Sequence, residues 1–311
     1  MVKSSRQMPL WGVYMLLVTC VTLWSSAFVG IRSAVGAGHA TGYHPGSLAF
    51  VRYVIASITL IPFWFYLPNR QKIINSDWPK LILIAVIGIS GYNVTLNYSE
   101  IHLSAAEASF VISQVPVISA ILAACFLGEH LTLKPIIGIL ISFIGVCIIS
   151  ADNLGSFDLR FSMLFGIAAA FCASLYTILQ KPVLGRNNAI QCSIILMWLG
   201  TLFLGLVYWR QSWHDITHAS WTATLSVVYL GIFPAAIAYM LWSYVLSHLT
   251  ATKTATGFYL VPLFAAILGW LVLGEAPTLL TLMGGLVALL GAYIVNKRRR
   301  KQITSSEEET T

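Results

Sequence analysis

Hydrophobic residues run in long blocks along this chain, and polar residues are confined to short breaks between them. Ten blocks stand out, at roughly 10–31, 46–67, 80–99, 104–127, 134–151, 161–180, 190–209, 221–246, 254–273 and 279–296. Each is close to the length of about 20 residues that an α-helix needs to cross a bilayer. The breaks carry turn residues, as in Pro68-Asn69-Arg70, Asp77-Trp78-Pro79, Asp152-Asn153-Leu154-Gly155 and Gly185-Arg186-Asn187-Asn188. None leaves room for a soluble domain. The pattern predicts an all-α integral membrane protein with ten transmembrane helices. The first block follows Lys3 and Arg6, as a secretory signal would, but it is too long for a signal core and is expected to remain as the first span. The polar tail after Lys301 is expected to be disordered.

Composition supports the same class. Of 311 residues, 58% are hydrophobic and only 9% charged, against about 25% charged in soluble domains. The net charge of +7 does not point to nucleic acid, because five basic residues form one patch, Lys297 to Lys301, directly after the last apolar block. Such a patch anchors a helix end near anionic lipid. With the N-terminus placed in the cytoplasm, fourteen Lys and Arg residues fall on cytoplasmic segments and four (Arg32, Arg52, Arg160, Arg210) on the other side. The positive-inside rule then puts both termini in the cytoplasm. The five cysteines lie inside apolar runs without metal-ligand spacing and are expected to be packing residues.

The chain also repeats itself. Residues 98–148 and 244–294 align without gaps at an offset of 146, with 18 of 51 positions identical. The identities include Tyr98/Tyr244, His102/His248, Pro116/Pro262, Leu127-Gly128-Glu129/Leu273-Gly274-Glu275, Thr132/Thr278, Gly138/Gly284 and Gly145/Gly291. The unit of duplication is five spans, 1–151 and 152–298, with a basic and acidic tail at 299–311. Five is odd, so the second copy enters the membrane from the opposite side. Inverted repeats of this kind build transporters, with a site between the halves that opens to either compartment. For the repeated Gly-Glu pair two readings stand. Gly128 and Gly274 can end a helix in a left-handed conformation, with Thr132 and Thr278 capping the next helix and each Glu resting in the turn. Alternatively, the glutamates form gating ion pairs.

Several stretches, taken in order, resemble the drug/metabolite transporter superfamily, in particular its EamA-type ten-helix exporters. They are "LWSSAFVGIRSA" in span 1, "LAFVRYVIASITLIP" in span 2, "NYSEIHLSAAEASFVISQVPVISAILAACFLGEHLT" across spans 3 and 4, and "SYVLSHLTATKTATGFYLVPLFAAILGWLVLGEAPT" across spans 8 and 9. The resemblance covers about residues 10–298. It implies a central cavity lined mainly by spans 1, 3, 4, 6, 8 and 9, with spans 5 and 10 as scaffold. It also implies export of small metabolites, often amino acids, without ATP hydrolysis, and it does not fix the substrate.

Polar groups inside spans are costly and face a cavity or a partner. Arg52, about seven residues into span 2, can snorkel, pair with Glu107, or meet an acidic group of the substrate. Arg32 is expected to be interfacial. Glu107 and Lys253 occupy equivalent repeat positions at the starts of spans 4 and 9. They either meet opposite charges of a passing substrate or rest at helix ends near water, and Glu107 is the first candidate for proton coupling. Asn93, Asn97, Tyr98 and Gln114 form a polar set that serves either substrate binding or helix-to-helix contact. The aromatics Trp24, Tyr176, Tyr239, Trp242, Phe258 and Tyr259 fall on cavity-facing spans, where packing is the plainer alternative. Pro116 and Pro262 are expected mid-helix, as kinks that help gating or merely fit the bundle. Gly138/Gly145 and Gly284/Gly291 mark close helix contact.

No GxxxxGK[ST] occurs, and "GISG" at 88–91 is not a nucleophile turn. His214 and His218 are placed in a short loop without the partners a metal site needs. The expectation is a secondary transporter in the inner (plasma) membrane that exports amino acids or related small metabolites by alternating access, without cofactor or metal. Its partners are a small-molecule substrate and the lipid bilayer, with a homodimer left open. Multidrug or cationic-compound efflux is the alternative, and a membrane-embedded enzyme is the rival from another class.

Overall fold

The computed structural model of the chain describes residues 9–35, 42–67, 71–127, 133–151, 157–250, 254 and 256–308. Ten helical rods follow the ten apolar blocks: α1 (Leu10–Ala34), α2 (Pro45–Tyr66), α3 (Asn75–Ser99), α4 (Ala105–Ile112 and Val115–Leu127), α5 (Leu133–Ala151), α6 (Phe157–Leu184), α7 (Ala189–His218), α8 (Trp221–His248), α9 (Val261–Leu273) and α10 (Leu279–Glu308). Seven apolar helices are long enough to cross a membrane, and shorter apolar stretches mark α5, α9 and α10. Large apolar side chains such as Leu206, Leu271 and Leu286 cover the outside of the bundle. A soluble fold would bury them; a bilayer solvates them.

Polar residues in the breaks start and stop the rods. Ser104 and Glu107 form a reciprocal capping box at α4, and the Asn188 and Ser220 side chains accept from backbone N–H groups at α7 and α8. Gly274 ends α9 with φ of 70°, a left-handed position that glycine tolerates best. Thr278 Oγ1 accepts from Thr281 N at 3.1 Å and starts α10. Thus the expected stop and start around Glu275 are present, while Gly128, Glu129 and Thr132 lie outside the described residues.

Two helix pairs show the relation between the repeats directly. A Cβ on Gly138 would lie 2.8 Å from the Gly291 carbonyl oxygen, and one on Gly284 would lie 2.8 Å from that of Gly145. Low numbers on α5 therefore meet high numbers on α10, so these equivalent helices run antiparallel. The same holds for α2 and α7: Gly46 faces Tyr208, Gly205 faces Phe50, and Ser57 Oγ meets Thr201 Oγ1 at 2.7 Å. Equivalent helices that run in opposite directions mean inverted repeats.

Three sequence expectations need correction. Pro116 and Pro262 do not bend continuous helices. The α4 rod stops at Ile112 and restarts at Val115, and α9 starts at Val261 after a 3-10 turn over Thr256–Leu260. Each proline therefore sits in the first turn of a new helical piece, where its missing N–H removes no helical bond. The backbone from 302 to Glu308 continues the α10 helix, where an irregular tail was expected. His214 and His218 lie on the last turns of α7 rather than in a loop, with rings stacked 4.2 Å apart.

Sequence reading also missed a pair of π-helical segments, Ala85–Gly91 in α3 and Gly231–Ile237 in α8. They occupy equivalent repeat positions. A π segment adds a residue to the turn and frees carbonyls from the regular ladder, and such segments gather at functional sites.

Candidate functional site

Both π segments flank a small cavity at the centre of the bundle. Trp24 of α1, Tyr92 of α3 and Tyr176 of α6 meet Tyr239 and Trp242 of α8 there, with Phe258 closing it ahead of α9. The walls thus come from both repeats. Trp24 is the hub: its ring centroid lies 4.9 Å from Trp242, 5.3 Å from Tyr239 and 5.7 Å from Phe258. Its indole N–H donates to the Pro234 carbonyl at 3.2 Å, an acceptor inside the second π segment. The Trp242 Nε1 is buried without a hydrogen-bond partner among the described residues. The free space is only ≈ 20 Å³, room for about one water. The rings are therefore closed on one another, and a larger solute enters only if they part.

Hydrogen bonds behind the cavity set the ring positions. Asn93 Nδ2 donates to the Tyr53 hydroxyl at 2.7 Å and to the Ile89 carbonyl at 2.9 Å. Tyr53 in turn packs edge-on to Tyr239, with centroids 6.3 Å apart. On the other side, Gln180 donates to the Tyr176 hydroxyl at 3.0 Å and to Ser243 at 3.1 Å. The Tyr176 ring covers Gly88, where a Cβ would lie 2.2 Å from it. Gly88→Val is therefore expected to push Tyr176 into the cavity. Solute transport should be lost while helical content, read by circular dichroism, stays at the parent level.

Of the residues singled out from sequence, Trp24, Tyr176, Tyr239 and Trp242 come together at this cavity, with Phe258. Others lie elsewhere. Asn93 and Asn97 are fully buried between α3 and α2, Asn97 donating to the Pro45 carbonyl at 2.9 Å. Tyr98 stacks on Phe165 at 5.0 Å, and its hydroxyl meets His44 Nε2 at 3.2 Å near the end of the bundle. Gln114 accepts from Ser142 of α5, and Tyr259 donates to the Ala292 carbonyl of α10 at 2.7 Å, so both tie to the scaffold pair. Glu107 engages Ser104 in the capping box. Lys253 lies outside the described residues.

A second set of groups, mostly missed from sequence, closes one end of the bundle. Arg32 is not merely interfacial. Its Nε pairs with Glu275 Oε1 at 2.9 Å, and its Nη1 donates to the carbonyls of Glu100 and Ile101 at 3.0 and 2.8 Å. Glu275 Oε2 also accepts from Ala105 N at 3.4 Å, at the positive end of α4 rather than of α10. One ion pair thereby joins α1, the α3–α4 turn and the α9–α10 turn across the repeat boundary. At the opposite end, Lys181 of α6 donates to the Leu246 and Leu249 carbonyls at 2.5 and 2.8 Å. Glu100 and Leu246 are repeat equivalents, so Lys181 grips the α8 terminus much as Arg32 grips that of α3. Arg52 is buried with its guanidinium 5.7 Å from the Tyr53 ring, and neither its Nε nor its Nη1 makes a hydrogen bond among the described residues.

Two inverted halves of apolar spans with a small cavity between them are the architecture of a multi-pass membrane transporter, and similarity to transporters identifies the chain as one, for a small-molecule solute, rather than as an enzyme. The chain belongs to the EamA-like transporter family, which matches it twice, over residues 10–151 and 160–297. It is 33% identical to the "Probable terminal-alkyne amino-acid exporter" of Streptantibioticus cattleyicolor, over 94% of this chain and 97% of that protein. It is 35% identical to the uncharacterized transporter YdfC of Bacillus subtilis, over 91% of this chain and 92% of that one. An uncharacterized transporter of Archaeoglobus fulgidus is 31% identical over 92% and 99%. A solved crystal structure shares the fold with a TM-score of 0.62 at 19% identity, over 92% of this chain and 97% of that chain.

Proposed function

We propose that this transporter exports amino acids or closely related metabolites across the plasma membrane by alternating access, with the aromatic cavity as its solute site. The observation that carries the reading is the cavity itself. Rings from both halves enclose a buried indole N–H that has no hydrogen-bond partner among the described residues, and a solute acceptor would supply one. An apolar body between Trp24, Tyr176, Tyr239 and Trp242 would gain ring contacts. The 33% identity to a protein named as an amino-acid exporter supports the same class of solute. Efflux of organic cations is the second reading. Ring faces attract cations, and the cavity lining holds no Lys or Arg to repel them.

Proteoliposomes decide between the two. Radiolabelled L-amino acids and tetraphenylphosphonium are offered to the purified protein, with and without a pH gradient. Saturable movement of an amino acid is expected, and Trp242→Phe, which keeps a ring and loses the N–H, should raise its KM by up to about tenfold. Movement of tetraphenylphosphonium alone would favour the cation reading.

A further inference from the structure

Two buried ionisable groups of opposite sign lie behind the cavity wall without an ion pair among the described residues; the Arg52 guanidinium sits 5.7 Å from the Tyr53 ring, which packs on Tyr239 of the wall. Arg52 is 2% exposed, and its Nε and Nη1 make no hydrogen bond among the described residues. Glu100 is 0% exposed, and the same holds for both of its carboxylate oxygens. Arg52 lies within electrostatic reach of Glu100, yet the two form no ion pair. Tyr92, which lines the aromatic cavity, is within electrostatic reach of both. Tyr239 on the facing wall is within reach of Arg52.

This is an expensive arrangement for a merely structural pair. A buried ion without a counter-charge costs several kcal/mol, and most such groups close the gap with their neighbour. The neighbouring charges do not remove the cost. Arg32 is engaged by Glu275, and to Glu100 it offers only bonds to the backbone carbonyl. Burial pushes the Glu100 carboxyl up, Arg32 and Arg52 pull it down, and Glu275 pushes it up again. The net direction is well up, so Glu100 holds its proton before a solute arrives, while the Arg52 guanidinium is short of an anion; an arriving ammonium group would favour the ionised carboxylate.

We propose that Arg52 and Glu100 form the polar end of the solute site, Arg52 receiving the carboxylate of an α-amino acid and Glu100 its ammonium group. The aromatic cavity takes the side chain. The assignment rests on the amino-acid reading above and specifies how the zwitterion is recognised. A guanidinium matches a carboxylate with paired N–H donors. A carboxylate in a dry site is the strongest acceptor for an ammonium group. One zwitterion would serve both groups at once, whereas an amine alone leaves Arg52 without an anion and an acid alone leaves Glu100 without a cation.

The test uses the full chain in proteoliposomes. The twenty common L-amino acids and L-propargylglycine are screened, and the one moved fastest is competed with its own methyl ester, its N-acetyl derivative and its decarboxylated amine. Each derivative lacks one charge and is expected to compete about tenfold or more weakly than the parent. Arg52→Gln should equalise the methyl ester with the free amino acid, and Glu100→Gln should equalise the N-acetyl derivative. Where a variant does not fold, the competition series with the unaltered protein decides alone. Movement of amino acids with equal competition by all derivatives overturns the charge-pair site and leaves the amino-acid reading standing. Movement of tetraphenylphosphonium and of no amino acid overturns both.

Discussion

Gly145→Val and Gly291→Val should each destabilise the fold strongly, the largest effect expected of any single substitution in the α5–α10 seam. A Cβ on Gly145 would lie 2.3 Å from the Ala288 backbone nitrogen and 2.6 Å from the Gly284 carbonyl oxygen. On Gly291 it would lie 2.3 Å from Ser142 N and 2.5 Å from the Gly138 oxygen. These are backbone atoms, so no rotamer change relieves the clash and the two helices must separate. Overpacking a tight core costs about 1–3 kcal/mol and occasionally more; rigid backbone on both sides places this case at about 3 kcal/mol or above. Thermal unfolding in detergent, followed by size-exclusion profile, should show a large drop in Tm for both. Gly269→Ala is the control, because its Cβ would meet only the Ala105 methyl group at 3.5 Å. Parent-like melting of Gly145→Val would mean that the helices do not touch.

Loss of the Arg32–Glu275 pair should open the cavity from the end of the bundle that carries it. Arg32 makes three polar contacts and Glu275 adds a fourth to Ala105 N, holding three elements together; one of them is an ion pair at 2.9 Å that is mostly shielded from solvent. Charge-assisted hydrogen bonds of this kind contribute about 1.5–3 kcal/mol each. Removing them from one closed state shifts its population by at least about tenfold. The reporter is a single cysteine at the cavity-lining position Thr177 in a cysteine-free chain, labelled by an impermeant maleimide from the Glu275 face. Arg32→Ala and Glu275→Gln should each raise the labelling rate about tenfold or more. The charge-reversed double variant, Arg32→Glu with Glu275→Arg, should bring the rate back toward that of the parent. Unchanged labelling in both single variants would show that the pair closes nothing.

The spans and the duplication were readable from sequence because the bilayer imposes them. Apolar length and turn residues mark the helices, and an odd number of spans per copy forces the inversion. The aromatic wall was partly readable, since Trp24, Tyr176, Tyr239 and Trp242 fall on helices expected to face a cavity. The charges were harder. Arg52 was visible as a cation within a span, with Glu107 as one of its possible partners beside snorkelling and an acidic group of the substrate. In the fold, Glu107 closes its own helix start. Glu100 escaped notice because its repeat counterpart is Leu246; comparing the halves reveals what they share, whereas this group exists in one half only. The Arg32–Glu275 pair joins residues 243 apart in sequence, and no local pattern reports such a contact. The π segments were also hidden. Of the two, only Gly231–Ile237 contains a proline, and the added residue per turn leaves no periodic signature in so short a run.

The contact between α5 and α10 is its own mirror partner: Gly138 meets Gly291 while Gly284 meets Gly145. A five-span chain ending near residue 151 would therefore carry both faces of the joint. Two identical copies threaded through a bilayer in opposite senses could assemble along it without any new complementary surface. Joined in one polypeptide, the two copies are free to differ, as they do with glutamate at position 100 and leucine at 246.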